Sequence, residues 1–148
     1  MISGLTVVAD QLTKLLITNT LGPGEGWPLL APLLSFTYVQ NTGAAFGLFK
    51  GQQFTFIFVS IGVISWILGI VCTMAGALPL PVTWGLGLVF GGAVGNLIDR
   101  LRVGYVIDFI DLHVWPVFNI ADAAITVGVA LLILYSLAYP KGHDPRKT

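Results

Sequence analysis

Apolar residues run almost unbroken through most of this chain, and a few interruptions divide it into segments of similar length. No charged residue occurs between positions 51 and 98. That stretch is too long for one membrane crossing, and Pro79 and Pro81 break it into 54–78 and 82–98. A helix needs about 20 residues to cross roughly 30 Å of hydrocarbon, so each half is about long enough. Residues 119–139 form a further span, closed by Pro140 and Lys141. The N-terminal segment 2–20 is less apolar and holds Asp10 and Lys14. It lacks the basic leader and small-residue cleavage site of a signal peptide, so a retained helix is predicted. None of these runs alternates with period two, which favours helices over a barrel. The predicted fold class is an all-α membrane protein with four transmembrane helices, a single integral membrane domain over residues 1–148.

Four spans put both termini on one side and collect the longer connections, 21–53 and 99–118, on the other. The 79–81 connection is read as a tight turn. Segment 21–53 holds Gly22, Pro23, Gly24, Pro28 and Pro32, and a strand-like run over 34–40. A small strand-containing platform on the bilayer surface is therefore expected. Charge does not orient it: Lys141, Arg146 and Lys147 in the tail face Lys50, Arg100 and Arg102 across the bilayer, a tie under the positive-inside rule.

Composition sharpens this picture. Hydrophobic residues make up 55% of the 148 and charged residues only 9%, with a mean hydropathy of +0.88. Soluble domains carry roughly 25% charge, so a water-facing surface could not be covered. That excludes a cytosolic globular domain, a disordered chain and a nucleic-acid binder with a basic face. The single cysteine, Cys72, excludes a disulfide framework and is read as inert mid-span packing.

The polar residues stand where they cost most. Of seven acidic residues, Asp99, Asp108, Asp111 and Asp122 cluster within 99–122. Asn96 and Asp99 share a face at the end of one helix, and Asn119 and Asp122 share one at the start of the next. The loop between them carries Asp108, so Asp99, Asp108 and Asp122 can converge near the membrane surface. A carboxylate in a span marks a functional site by default. The structural alternative pairs Asp99 with Arg100 or Arg102 and makes Asp122 a helix cap. Two close carboxylates cannot both ionise easily. One can serve as general base on water while the other donates to a carbonyl, which suits peptide hydrolysis. His113 and His143 are too few and too far apart for a metal site, and no metal or cofactor is expected. Lys14 could activate a serine, but no serine is marked for it; it is spaced to pair with Asp10 along one helix face. Asp10 is either a structural anchor or part of the site. Gly87, Gly91 and Gly95 recur every four residues, a close-packing stripe for neighbouring helices or for a second copy.

Several blocks then become recognisable together. They are Asp10-Gln11-Leu12-Thr13-Lys14, Asn41-Thr42-Gly43-Ala44-Ala45-Phe46-Gly47, Gly95-Asn96-Leu97-Ile98-Asp99-Arg100, Gly104-Tyr105-Val106-Ile107-Asp108-Phe109 and Phe118-Asn119-Ile120-Ala121-Asp122. In this order and spacing the chain resembles the lipoprotein signal peptidases, or signal peptidase II, over about residues 10–135. The resemblance implies an aspartic endopeptidase of the bacterial cytoplasmic (inner) membrane. It implies removal of the signal peptide from a prolipoprotein, just before a diacylglyceryl-modified cysteine, by a chain acting as a monomer among membrane lipids. The family's catalytic aspartates match Asp108 and Asp122. Asn96, Asp99 and Asn119 match polar residues lining the site, and Asp10, Asn41 and Arg100 match positions supporting it or the substrate. The implied fold adds a small extracytoplasmic β-cradle between helices 1 and 2 and a surface helix, with the site near the extracytoplasmic face. The competing readings are an ion-coupled transporter using Asp10 and Asp122 as relays, which would want charge spread through several helices, and a noncatalytic assembly subunit, which leaves Asp108 without a purpose.

Overall fold

A computed structural model describes residues 1–43, 53–74 and 76–139. Residues 44–47 of the second sequence block, the charges Lys50, Lys141, Arg146 and Lys147, and His143 lie outside the described residues. The elements run α1 (Ile2–Thr20), β1 (Gly26–Leu30), β2 (Leu34–Asn41), α2 (Gln53–Thr73), α3 (Leu80–Arg102), β3 (Val106–Asp111) and α4 (Ile120–Ala138). Among the described residues no surface helix is seen beyond these elements.

The helices are turned inside out relative to a soluble protein. On α1 the buried stripe is Thr6, Asp10, Lys14 and Ile17, at helical spacing, while Leu5, Val8, Leu12, Leu15 and Leu16 face outward. Such a helix saves free energy only if its outer face meets hydrocarbon and its polar stripe meets partners inside. Three helices, α2, α3 and α4, are long and apolar enough to cross a membrane, with mean hydropathies of 2.4, 1.4 and 2.1. At 19 residues α1 has the length, but Asp10, Lys14 and its threonines dilute its apolarity. α2 buries only Ile67.

α3 is the hub, packing on α1, α2 and α4. Its glycines open two faces. A Cβ on Gly91 would come within 2.8 Å of the Ser3 carbonyl oxygen, and one on Gly95 within 2.6 Å of Asp10 Oδ2, so this stripe seats α1. Gly85 and Gly92 seat α4, where Gly128 reciprocates at 2.7 Å from the Gly85 carbonyl oxygen. The stripe thus serves packing within the chain. Gly92→Ala would drive a methyl into the Ala121 carbonyl oxygen and to 2.7 Å from Ile125 Cγ1. It should cost about 1–3 kcal/mol in detergent unfolding. Gly69→Ala, which meets nothing within 4 Å, should change stability by under about 0.5 kcal/mol. Equal effects at the two positions would contradict this packing.

The described elements depart from the predicted ones in instructive places. α2 stops at Thr73 rather than 78, ahead of Gly76 at φ +78°. Cys72 is therefore in the last turn of α2 and exposed, not packed in mid-span. α3 starts at Leu80, because Pro79 and Pro81 fit its cap and first turn, where no amide is needed. It also runs on to Arg102, so Asp99 and Arg100 are helical. The platform is a three-stranded antiparallel sheet, order β1–β2–β3. It is not built solely between helices 1 and 2, because β3 comes from the segment read as a loop between α3 and α4. Asn41 pairs with Val106, Gln40 with Ile107 and Val39 with Asp108. The cause is the open edge of β2: its amides need partners at an interface poor in water, and Val106, Ile107 and Ile110 suit a strand. After β3 the chain doubles back, and Phe118 exchanges backbone hydrogen bonds with Ile110 at 2.7 and 3.1 Å. That return delivers Asn119 to the head of α4, directly beside β3.

Candidate active site

Four elements converge where the sheet meets the C-terminal end of α3 and the head of α4. β3 supplies Asp108, 1% exposed. Both of its carboxylate oxygens accept from amides: Asn41 Nδ2 donates to Oδ2 at 2.8 Å and Asn119 Nδ2 to Oδ1 at 2.7 Å. Asp122 sits in the first turn of α4 and forms a capping box with Asn119. Asn119 Oδ1 accepts from the Asp122 amide at 2.9 Å, and Asp122 Oδ2 accepts from the Asn119 amide at 3.4 Å. Its other oxygen accepts from Asn96 Nδ2 at 2.7 Å. Asn119 Nδ2 also reaches Asn96 Oδ1 at 3.1 Å. A chain of two amides thus links the carboxylates. Asp122 does cap its helix, but this leaves it in the cleft.

That cleft has a volume of about 240 Å³ and is lined by Asn41, Asn96, Arg100, Asp108 and Asp122, with Phe56 and Trp115 among its apolar walls. The Arg100 guanidinium lies 5.1 Å from the centre of the Phe56 ring, and its Nη1 donates to the Asn96 carbonyl oxygen at 3.5 Å. A second, mainly apolar hollow of about 410 Å³ adjoins it along α4, sharing Trp115, Phe118 and Asp122. Burial, and then the negative charge of Asp122, push the Asp108 carboxyl up to about 7. The amides of Asn41 and Asn119 and the Lys14 charge pull the other way and lose. Asp111, on the far end of β3, is held below the usual range by the His113 amide and the Thr37 hydroxyl. It belongs to a different, partly exposed cluster with Thr37 and His113.

Of the residues singled out in the sequence, Asn41, Asn96, Arg100, Asp108 and Asp122 line the cleft. Asn119 is wholly buried beneath it. Asp10 and Asp99 are not in its lining. They stand behind it, and Asp99 pairs with neither Arg100 nor Arg102 but with Lys14, 2.7 Å away. Lys14 also pairs with Asp10 at 2.9 Å, as the helical spacing predicted. Sequence reasoning missed the part of Phe56, Trp115 and Gln11. Gln11 Nε2 donates to Asp99 Oδ1 at 3.0 Å. Its place beside Asp10 and three residues before Lys14 was the available signal.

The sequence profile of signal peptidase (SPase) II matches residues 2–138. The chain belongs to that family. The lipoprotein signal peptidase of Halothermothrix orenii is 44% identical over 140 residues, covering 95% of both chains. That of Moorella thermoacetica is 43% identical over 143 residues, covering 97% of this chain and 94% of the relative. A solved bacterial membrane enzyme superposes with a TM-score of 0.85 at 32% identity, covering 97% of this chain and 91% of its own. A second superposes at 0.82 with 33% identity. This signal peptidase II is thus a membrane-embedded peptide hydrolase that cleaves signal peptides from prolipoproteins.

Proposed function

We propose that Asp108 and Asp122 are the catalytic pair with which this signal peptidase II hydrolyses the bond just before a diacylglyceryl-modified cysteine. The observation that carries the reading is two carboxylates on different elements, joined by the Asn96–Asn119 amides and open to one cleft. Asp108, its carboxyl raised to about 7 by burial, serves as the acid, and Asp122 serves as the base. Asp122 takes a proton from water as the oxygen attacks the scissile carbonyl carbon, and Asp108 gives its proton to the carbonyl oxygen. The resulting gem-diol collapses: Asp108 recovers a proton from a hydroxyl, Asp122 passes its proton to the leaving nitrogen, and the C–N bond breaks. Asn41, Asn96 and Asn119 hold the two carboxylates, and Arg100 borders the cleft as a fixed cation for substrate carbonyls. The adjoining apolar hollow along α4 suits the acyl-bearing or hydrophobic part of the substrate.

In this reading residues 1–148 form one domain and α1 is a fourth span. Its Asp10 and Lys14 are paired within the bundle while its leucines meet lipid. Both termini lie in the cytoplasm of a bacterium. The sheet rests on the outer surface of the cytoplasmic membrane, with exposed Trp27, Leu29 and Leu30 of β1 and Trp115 at headgroup level. The enzyme works as a monomer, since the glycine faces of α3 are filled by α1 and α4.

Purified protein in detergent should cleave a peptide with a diacylglyceryl cysteine at the residue before that cysteine, and leave the unlipidated peptide intact. Equal cleavage of both would end the lipid-dependent reading. A reporter fused after Thr148 and one inserted near Glu25 should report opposite sides of the membrane. Identical readouts would sink the four-span model.

A further inference from the structure

Behind the cleft lies a buried ionic cluster that the chemistry above does not use. Lys14 is 2% exposed, and its ammonium spends its three N–H donors on Asp10 Oδ2 at 2.9 Å, Asp99 Oδ2 at 2.7 Å and Asn96 Oδ1 at 3.1 Å. Stability alone is a poor reason for it, because well-packed apolar residues usually replace a buried ion cluster without loss. Its connections lead elsewhere. The second oxygen of Asp10 accepts from the Ala121 amide at 3.0 Å, one residue before Asp122. Asp99 Oδ2 accepts from the Ile107 amide at 3.1 Å, one residue before Asp108. The third partner, Asn96, is the amide that donates to Asp122 Oδ1 at 2.7 Å.

We propose that Lys14 is a positioning residue of the reaction. It clamps Asp10 to Asp99, and through them the backbone beside each aspartate of the pair, while fixing the Asn96 amide toward Asp122. The orientation argument is one of donors and acceptors. Asn96 Oδ1 faces the Lys14 ammonium and Asn119 Nδ2. A flipped amide would set its NH2 against both donors and turn its oxygen on the Asp122 carboxylate. Lys14 is absent from the lining of the cleft and borders a separate hollow with Asp99, Arg102 and Tyr105. It therefore acts through Asn96 and the two anchored strands of backbone, never on the substrate. The inference rests on the Asp108–Asp122 reading, since it concerns how that pair is held.

The test uses the full chain in detergent with the diacylglyceryl peptide. Lys14→Met removes the clamp but leaves two buried carboxylates unpaired. The triple variant Asp10→Asn, Lys14→Met, Asp99→Asn removes it without them, because each Asn oxygen can still accept from Ala121 or Ile107. The triple variant should keep KM within about twofold and lose about 10- to 100-fold in kcat, the scale expected when reacting groups shift by an ångström. In an Asn96→Ala background the same change should cost clearly less than in the parent, because one of its routes runs through that amide. A triple variant with kcat within twofold of the parent would overturn the proposal, as would a loss confined to KM. So would an undiminished loss in the Asn96→Ala background, or a triple variant that fails to fold. Full activity of Asp108→Asn or Asp122→Asn would instead remove the catalytic pair itself. Those two inactive alongside an unimpaired triple variant would remove only the role of Lys14.

Discussion

Asp108→Asn and Asp122→Asn should each lose cleavage by about 10³-fold or more, while the protein still folds and still binds the lipidated peptide. General acid–base groups are worth about 10²–10⁴-fold each, and an amide can neither take a proton from water nor give one to a carbonyl oxygen. The two variants should fail for different reasons. At position 108 the amide faces two amide donors, Asn41 Nδ2 and Asn119 Nδ2, so it must set its own NH2 against one of them. At position 122 the amide can keep accepting from Asn96, but its NH2 then meets the longer Asn119 backbone contact, and the charge at the head of α4 is lost. Asp111→Asn is the control on the same strand. It breaks contacts with Thr37 and His113 at the partly exposed end of β3 and should leave kcat within about threefold. Single-turnover cleavage with a binding assay on the same preparations separates the cases. An essential Asp111 beside a dispensable Asp108 would sink the assignment.

The second large effect is on pH. In the proposed reaction Asp108 must hold a proton when the carbonyl is attacked. With Asp108 raised to about 7 by burial and the charge of Asp122, kcat should fall about tenfold per unit above the upper step, as the acid loses its proton. It should fall again at low pH, as the base is protonated. A rate that climbs to a plateau near or above about pH 9 would instead indicate a base such as Lys14 or His113. Stability carries the same signature. The Asp108 carboxyl has an ordinary value of 3.8 unfolded and about 7 folded. Through that window the native chain binds more protons than the unfolded one, so the stability from this group is full at acid pH and is lost as pH rises through the folded value. A plot of Tm against pH should slope down there for the parent and flatten for Asp108→Asn.

Much of this was legible without coordinates. The candidate spans α2, α3 and α4 follow from apolar runs of membrane length, and the helices α1 and α4 match their predicted limits to within a residue. Asn119 is the extended N-cap of α4 and meets Asp122 through a capping box, whereas Asn96 and Asp99 share a face because three residues make nearly one helical turn. Asp10 with Lys14 follows by the same rule, and the structure pairs them. The prolines at 79 and 81 mark the α2–α3 break, since proline cannot donate within a helix.

What tertiary structure alone decided are the partnerships between elements. Nothing local in Val106–Asp111 says that it will become the third strand of a sheet begun at Gly26; the open edge of β2 imposes that. Nothing in the spacing tells Asp99 to choose Lys14 over its neighbours Arg100 and Arg102. The choice is made because the Asp99 face of α3 turns inward onto α1, where Lys14 is the cation within reach. Helix periodicity sets which residues share a face, and so the sequence by itself determined the membrane class, the spans and the candidate carboxylates. Which faces meet depends on close approach at Gly91, Gly92 and Gly95 and on distant donors finding buried acceptors. Those are long-range packing and desolvation terms, and only the folded chain evaluates them.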